Sequence, residues 1–488
     1  MMIIPSNRIV ERGFTALCVV LRSVGGFQFF IGELQSGILP FVIEVADTII
    51  LIIMKSLIHT IPLLSLCITC CYGFITPGHI MRSPIVVPTI NALFSTSIDD
   101  ANVIENTSIN SQPTQRRIAN TEKFARLPVW PVWQGVFIFF ASKILGQEFA
   151  ANLEDSIGGR VCPNFFSSSD VIPNTYNGGT SPFVLLVHHR HAFMNWDPVR
   201  YIQAKFFPEG FPSHPHRGFI TVTYILKGGF YHRDSLGIKQ EYGAEEKYQG
   251  RHVQWLTAGA GIQHEEMWDT EPDKKDKGKL LTTSSQELYQ IWLNLPAANK
   301  MDTPDAKVLQ AYDVKEDNTR QQMPEDTTPV ITADGTITTV VAGEHDGIRA
   351  PVECPANAAI IRIQFTQKDT TTWRHILPSS HETAILYVKQ GAIQIDGQRI
   401  PPHHTVYLSP DGEELTIQTL EGEADVLLLS GEPIREPIAS QGSMVMNTQG
   451  EIQKAYMDYQ RGYMGIPWDH KLTDEEWREH VKQNPSQY

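Results

Sequence analysis

His214 and His216 stand two residues apart, and so do His264 and Glu266. On extended chain, side chains at i and i+2 leave the same face, so each pair projects into one space. Three imidazole nitrogens and one carboxylate oxygen suit iron, copper, nickel, zinc or manganese. No cysteine takes part, which separates the group from structural zinc sites built on thiolates. Four protein ligands on a metal that prefers six leave two positions open for chemistry or for ligand sensing.

Such donors need strands to aim them. Between the two pairs run Phe219-Ile-Thr-Val-Thr-Tyr-Ile-Leu226, then Gly228-Gly229, then Val253-Gln-Trp-Leu-Thr257, rich in β-branched and aromatic residues. Wrapped into a small barrel, these strands bring the four donors together inside it. His232 and Asp234 repeat the i, i+2 spacing and read as polar partners that orient a ligand imidazole. Glu265 alternates away from Glu266 and is expected to face outward. His188-His-Arg-His191 reads as lining for a substrate entrance rather than as a second metal site.

The motifs carry a resemblance. Phe211-Pro-Ser-His-Pro-His-Arg-Gly-Phe219, His232-Arg-Asp-Ser235, Val253-Gln-Trp-Leu-Thr-Ala-Gly-Ala-Gly-Ile-Gln-His-Glu-Glu-Met267, Leu288-Tyr-Gln-Ile-Trp-Leu-Asn-Leu-Pro296 and Leu429-Ser-Gly-Glu-Pro-Ile-Arg-Glu-Pro437 are similar to those of the pirin family of the cupin superfamily. The resemblance continues through Met446-Asn447 to Tyr459-Gln-Arg-Gly462. It implies an all-β fold of two cupin-type barrels with iron, as Fe(II), in the first, held by His214, His216, His264 and Glu266. It also implies a quercetin 2,3-dioxygenase type of activity on a small phenolic substrate with O2; in such a reaction a monodentate Glu266 carboxylate can move between ligand and general base. A different class of pirin-like protein is a redox-sensing co-regulator that acts through protein partners. Ile220 stands where many relatives carry Glu, which bears on the surroundings of the metal.

The chain has 488 residues, enough for two or three domains. A net charge of −14 argues against a nucleic-acid-binding face. Six scattered cysteines make no disulfide framework. Residues 1–121 read as an N-terminal extension: Ser56 to Ile75 holds no formal charge, long enough to anchor in a membrane, while Lys55 followed by Leu57 to Leu66 reads as a signal sequence ahead of a transit-like stretch. The chain is thus expected on a plastid or secretory route, or, without that extension, in cytoplasm or nucleus. Residues 122–180 read as a linker with a packing helix at Val136 to Leu145, and 181–300 as the metal-bearing barrel. A polar connector fills 301–330 and a second barrel 331–445, where His375, His381 and His403-His404 lack the paired spacing of a metal site. Residues 446–488 comprise a helix opened by Thr448 and Glu451, then a polar tail from 463 onward. A monomer is expected.

Overall fold

The computed structural model describes residues 113–123, 127–128, 141–146, 160–165, 179–195, 197–204, 208–270, 283–314, 323–420 and 422–488. Within them the chain is built mainly of strands, because apolar and β-branched residues recur at every second position. Phe219–Lys227 is the pattern at its plainest: Ile220, Val222 and Tyr224 face one way, Thr221 and Thr223 the other. A fourteen-stranded sheet runs through both barrels. Its first-barrel strands include Phe183–Met194, Thr283–Asn294, Phe219–Lys227 and Arg251–Thr257; its second-barrel strands include Thr336–Ala342, Ala358–Phe365, Ala424–Gly431 and Thr383–Gln390.

A smaller four-stranded sheet closes each barrel. In the first, Gly210–His216, Ile262–Trp268, Gly229–Asp234 and Lys239–Gly243 lie side by side. In the second the order is Thr372–Ile376, Glu414–Thr419, Ile393–Ile395 and Gln398–Ile400. The barrels share an apolar core that includes Ile220, Val222, Ile291 and Leu293 from one and Ile360, Ile385, Leu427 and Leu429 from the other. The two cupin-type barrels that the sequence implies are therefore present, back to back.

Several segments depart from the expected outline. Ile118–Lys123, placed partly in the extension, is a strand on the second barrel, paired antiparallel with His404–Leu408. Arg116 anchors it, donating to the carbonyls of Gly412, Glu382 and His381 at 3.0, 3.2 and 2.6 Å. Arg160–Phe165 pairs with Phe183–Met194, so the folded part begins before residue 181. The polar connector contains the strand Asp305–Asp313, with Ala306 and Leu309 buried; it pairs with Arg251–Thr257 and, in parallel, with Thr327–Ala333, stitching the barrels together.

The C-terminal residues are not a polar tail. Asp474–Gln483 is a helix capped by Thr473 and Glu476, and Trp468, Trp477 and Val481 are buried beneath it. The expected helix Gln449–Gln460 is present, with both halves of its Thr448–Glu451 capping box formed. Of the packing helix at Val136 to Leu145, residues 141–144 are helical and 136–140 lie outside the described residues. The extension up to residue 112, with its leader or anchor, also lies outside them. Among the described residues no helix is long and apolar enough to cross a membrane.

Candidate metal centre

The four-stranded sheet of the first barrel sets the donors by register. His264 lies opposite His214 on one neighbour and opposite Asp234 on the other, and Ile262 lies opposite His216. The ring centroids of His214, His216 and His264 are 4.4 to 4.8 Å apart. One nitrogen from each falls within 4.8 Å of the others, the one such group of potential metal ligands among the described residues. Gly218 follows directly, at φ 84°; a Cβ there would lie 2.1 Å from the Val445 carbonyl oxygen. Only glycine allows that approach, which lets the hairpin of Ala439–Gln441 and Met444–Met446 close against the end of the site.

The hydrogen bonds leave one ring nitrogen bare on His214 and one on His264. His214 Nδ1 donates to the Pro212 carbonyl at 2.8 Å, which frees Nε2 as a lone-pair donor. His232 Nε2 lies 2.9 Å from Asp234 Oδ2, and the other oxygen of Asp234 accepts the backbone N–H groups of Leu236 and Ile238 at 2.9 and 3.0 Å. A neutral His232 that donates to this carboxylate from Nε2 presents Nδ1 as an acceptor. His264 Nδ1, 3.3 Å away, must then donate to it. The proton of His264 is thereby held on Nδ1, and its Nε2 is buried with no partner. A buried nitrogen lone pair among two other imidazoles fits a metal ion.

The electrostatics agree with that fit. Burial lowers the pKa of His214 to about 4, despite an opposing hydrogen bond to Pro212. Burial, and then the neighbouring imidazoles, hold His216 and His264 well below 6.5. All three are neutral at neutral pH, the form that binds metal.

Glu266 stands apart from that group. A register shift between His264 and Glu266 puts Glu266 opposite Phe211 on one side and His232 on the other. Its Oε1 accepts from Thr223 Oγ1 at 3.0 Å, and Thr223 also lies 2.9 Å from the Gln290 side-chain amide. One hydroxyl proton serves one acceptor, so Gln290 satisfies both contacts when its NH2 faces Thr223. Burial raises the pKa of Glu266, while hydrogen bonds from Thr223 and Tyr242 oppose the shift. The structure thus brings together three of the four sequence-chosen residues and places the fourth one strand step along, held by a hydroxyl.

Other expectations change. Glu265 does leave the opposite face from Glu266, yet that face is covered: Glu265 is fully buried and ion-paired with Arg233. His188 is not at an entrance. It lies between the barrels, with Nδ1 2.8 Å from the Tyr387 hydroxyl and Nε2 2.8 Å from Glu287 Oε1. His189 and His191 turn the other way, toward Phe211 and Trp268. Ile220 packs in the core between the barrels, so its side chain is directed away from the imidazoles. Sequence reasoning missed Thr223, Tyr242 and Gln290. A signal existed in Thr221 and Thr223, which alternate with apolar residues and mark a polar inner face.

Two family models match the chain: Pirin over residues 166–293 and the Pirin C-terminal cupin domain over residues 363–465. The tomato (Solanum lycopersicum) protein named Pirin-like protein is 32% identical over 302 residues, covering 61% of this chain and 91% of that relative. Arabidopsis thaliana Pirin-1 is 34% identical over 291 residues, 58% of this chain and 84% of the relative. A crystal structure of quercetin 2,3-dioxygenase from Acinetobacter baumannii superposes with a TM-score of 0.51 at 24% identity, covering 72% of this chain and 99% of that one, a likeness of fold.

Proposed function

The chain belongs to the pirin family, and from that premise we propose that it is a metal-dependent dioxygenase of the quercetin 2,3-dioxygenase type, acting on a flavonol or related planar phenol with O2. The observation that carries this reading is the cluster of three neutral imidazoles whose ligand nitrogens fall within 4.8 Å. His214, His216 and His264 would hold the ion, with Glu266 as fourth ligand; iron is the first choice, and zinc, copper, nickel or manganese suit the same donors. When bound, the ion would supply Lewis acidity toward a phenolic oxygen and a path for electrons to O2.

The chain's own residues do the rest. Glu266 is the carboxylate beside the imidazoles, and with one oxygen free it accepts the proton of the substrate hydroxyl. Thr223 keeps one of its oxygens in place. His232 and Asp234 keep His264 in the tautomer that offers Nε2. The test is anaerobic loading of the full chain with Fe(II), followed by oxygen uptake with quercetin. Uptake matched to flavonol loss, and absent in Glu266→Ala, supports the reading.

The near-complete burial of His216 and His264 favours a second reading, a redox-responsive iron protein that acts through protein partners. Iron bound one to one with no oxygen uptake would select it.

A further inference from the structure

Three charged residues that alternate with the donors leave the barrel's inner face and are buried all the same. Arg217 follows His216, Arg233 lies between His232 and Asp234, and Glu265 lies between His264 and Glu266; their exposures are 1%, 3% and 0%. What covers them is the end of the chain. Arg233, paired with Glu265, donates through Nη1 to the Leu472 carbonyl at 2.8 Å and through Nη2 to the His470 carbonyl at 3.2 Å. Its guanidinium carbon lies 5.5 Å from the centre of the Trp477 ring. Arg217 Nη1 donates to Asp458 Oδ2 at 2.8 Å, and the Tyr488 hydroxyl donates to the same oxygen at 3.0 Å, with its ring 4.9 Å from the guanidinium.

The backbones also meet. A Cβ on Gly261 would lie 2.7 Å from Met464 Cγ, and one on Gly465 would lie 2.5 Å from Ser235 Cβ. The Pirin C-terminal match ends at residue 465, so His470, Leu472, Trp477 and Tyr488 lie beyond it.

We infer that residues 463–488 are a strap that holds the donor-bearing strands in register from outside the barrel, so that metal retention is set partly by a segment supplying no ligand. This deepens the metal reading above and rests on it. The need is geometric. Gly210–His216, which carries two of the imidazoles, is an edge strand paired on one side only, and its partner shifts register between His264 and Glu266. A metal site works only when its donors are held to within about 0.5 Å. The Arg233–Glu265 pair ties the Gly229–Asp234 and Ile262–Trp268 strands to the strap at the level of His264. Stripped of the strap, both charges would meet water, and hydration would compete with their pairing.

The test compares the full chain with three variants: deletion of residues 466–488, Trp477→Ala, and Glu479→Ala as a control on the exposed face of the same helix. Each is loaded with nickel, and the rate of metal capture by excess chelator is measured. Capture at least tenfold faster in the deletion and in Trp477→Ala, and unchanged in Glu479→Ala, is the expected result. Amide hydrogen exchange on the metal-free proteins reads the strap without reference to metal. Exchange in Gly210–His216 and Ile262–Trp268 should rise more than tenfold while Glu414–Thr419 keeps its protection. Should the deletion fail to fold, Trp477→Ala carries the comparison. Unchanged exchange and unchanged capture in Trp477→Ala would overturn the strap. A wild-type chain that holds no metal would overturn the metal reading, and with it the claim on metal retention, while the exchange data would still decide whether the segment braces the strands.

Discussion

The two barrels use the same closing sheet for opposite purposes. In each, the four strands follow one order in space, with the first strand of the chain at the edge and the last beside it. Where the first barrel sets His214 against His264, the second sets His375 against Leu415 and Trp373 against Ile417. The second interior is then filled by Ile361, Ile363, Leu386, Val406, Leu428 and their neighbours. The first carries imidazoles, Thr223, Gln290 and Glu266 on its inner face. The strand plan is thus indifferent to chemistry, and the inward residues at alternate positions decide it. An apolar filling favours stability; neutral imidazoles such as the buried His216 and His264 cost stability when no ion uses their lone pairs.

The contrast can be broken most sharply by His214→Ala/His216→Ala. Stoichiometric metal binding should be abolished while far-UV circular dichroism is retained, and His375→Ala should leave metal content unchanged. Metal analysis of the purified proteins tests both. Next in size, Leu415→Ala should destabilise the chain by about 2–5 kcal/mol through the cavity it leaves in the second barrel, with no change in metal content. Urea unfolding measures the first quantity. Asp234→Asn should weaken metal binding about 10- to 100-fold by releasing the His264 tautomer, as read by chelator competition.

Acid gives a smaller, graded test. Burial lowers His375 to about 3 and His381 to about 4. Above pH 6.5 these groups are neutral in both folded and unfolded chains, so the stability they permit is fully present. Below 6.5 the unfolded chain takes protons that the folded one refuses until pH 3 to 4, so stability falls through that window, by about 1.4 kcal/mol for each group at one pH unit below 6.5. Added metal should offset the acid loss arising from His214, whose pKa is about 4, and leave this part untouched. Thermal melts between pH 7 and 4.5, with and without metal, make the comparison. Finest of all, Thr223→Val removes a donor that favours the charged form of Glu266, so the acid limb of the pH–activity profile should move upward.

What could be read from the sequence was whatever repeats locally. The i, i+2 spacing of His214 with His216 and of His264 with Glu266 fixed their shared face, and the same rule put Glu265 on the other. It could not say what covers that other face, because the cover comes from more than 200 residues later in the chain, at Leu472 and His470. The covering helix did leave a local sign: Thr473 and Glu476 have the same capping spacing as Thr448 and Glu451, and Trp477 and Val481 stand four apart in an otherwise polar run. The polar composition of Asp474–Gln483 hid a two-residue apolar face. Ile118–Lys123 offered less, since Ile-Ala-Asn-Thr-Glu-Lys has no alternation and its partner strand is remote.

That remote pairing gives the protein a timetable. Ile118 faces Leu408, 290 positions later in the chain, so a strand made early in synthesis must wait for one made near the end. At roughly 5–20 residues per second, the ribosome leaves Ile118–Lys123 without its partner for about 15–60 seconds. The first barrel's donor-bearing strands, Gly210–His216 through Ile262–Trp268, emerge well inside that interval. The first barrel waits longer still, because the segment at 463–488 that covers the backs of those strands is made after Leu408. Both barrels are thus finished only by the last quarter of the chain, and neither should reach native protection against proteolysis before release from the ribosome.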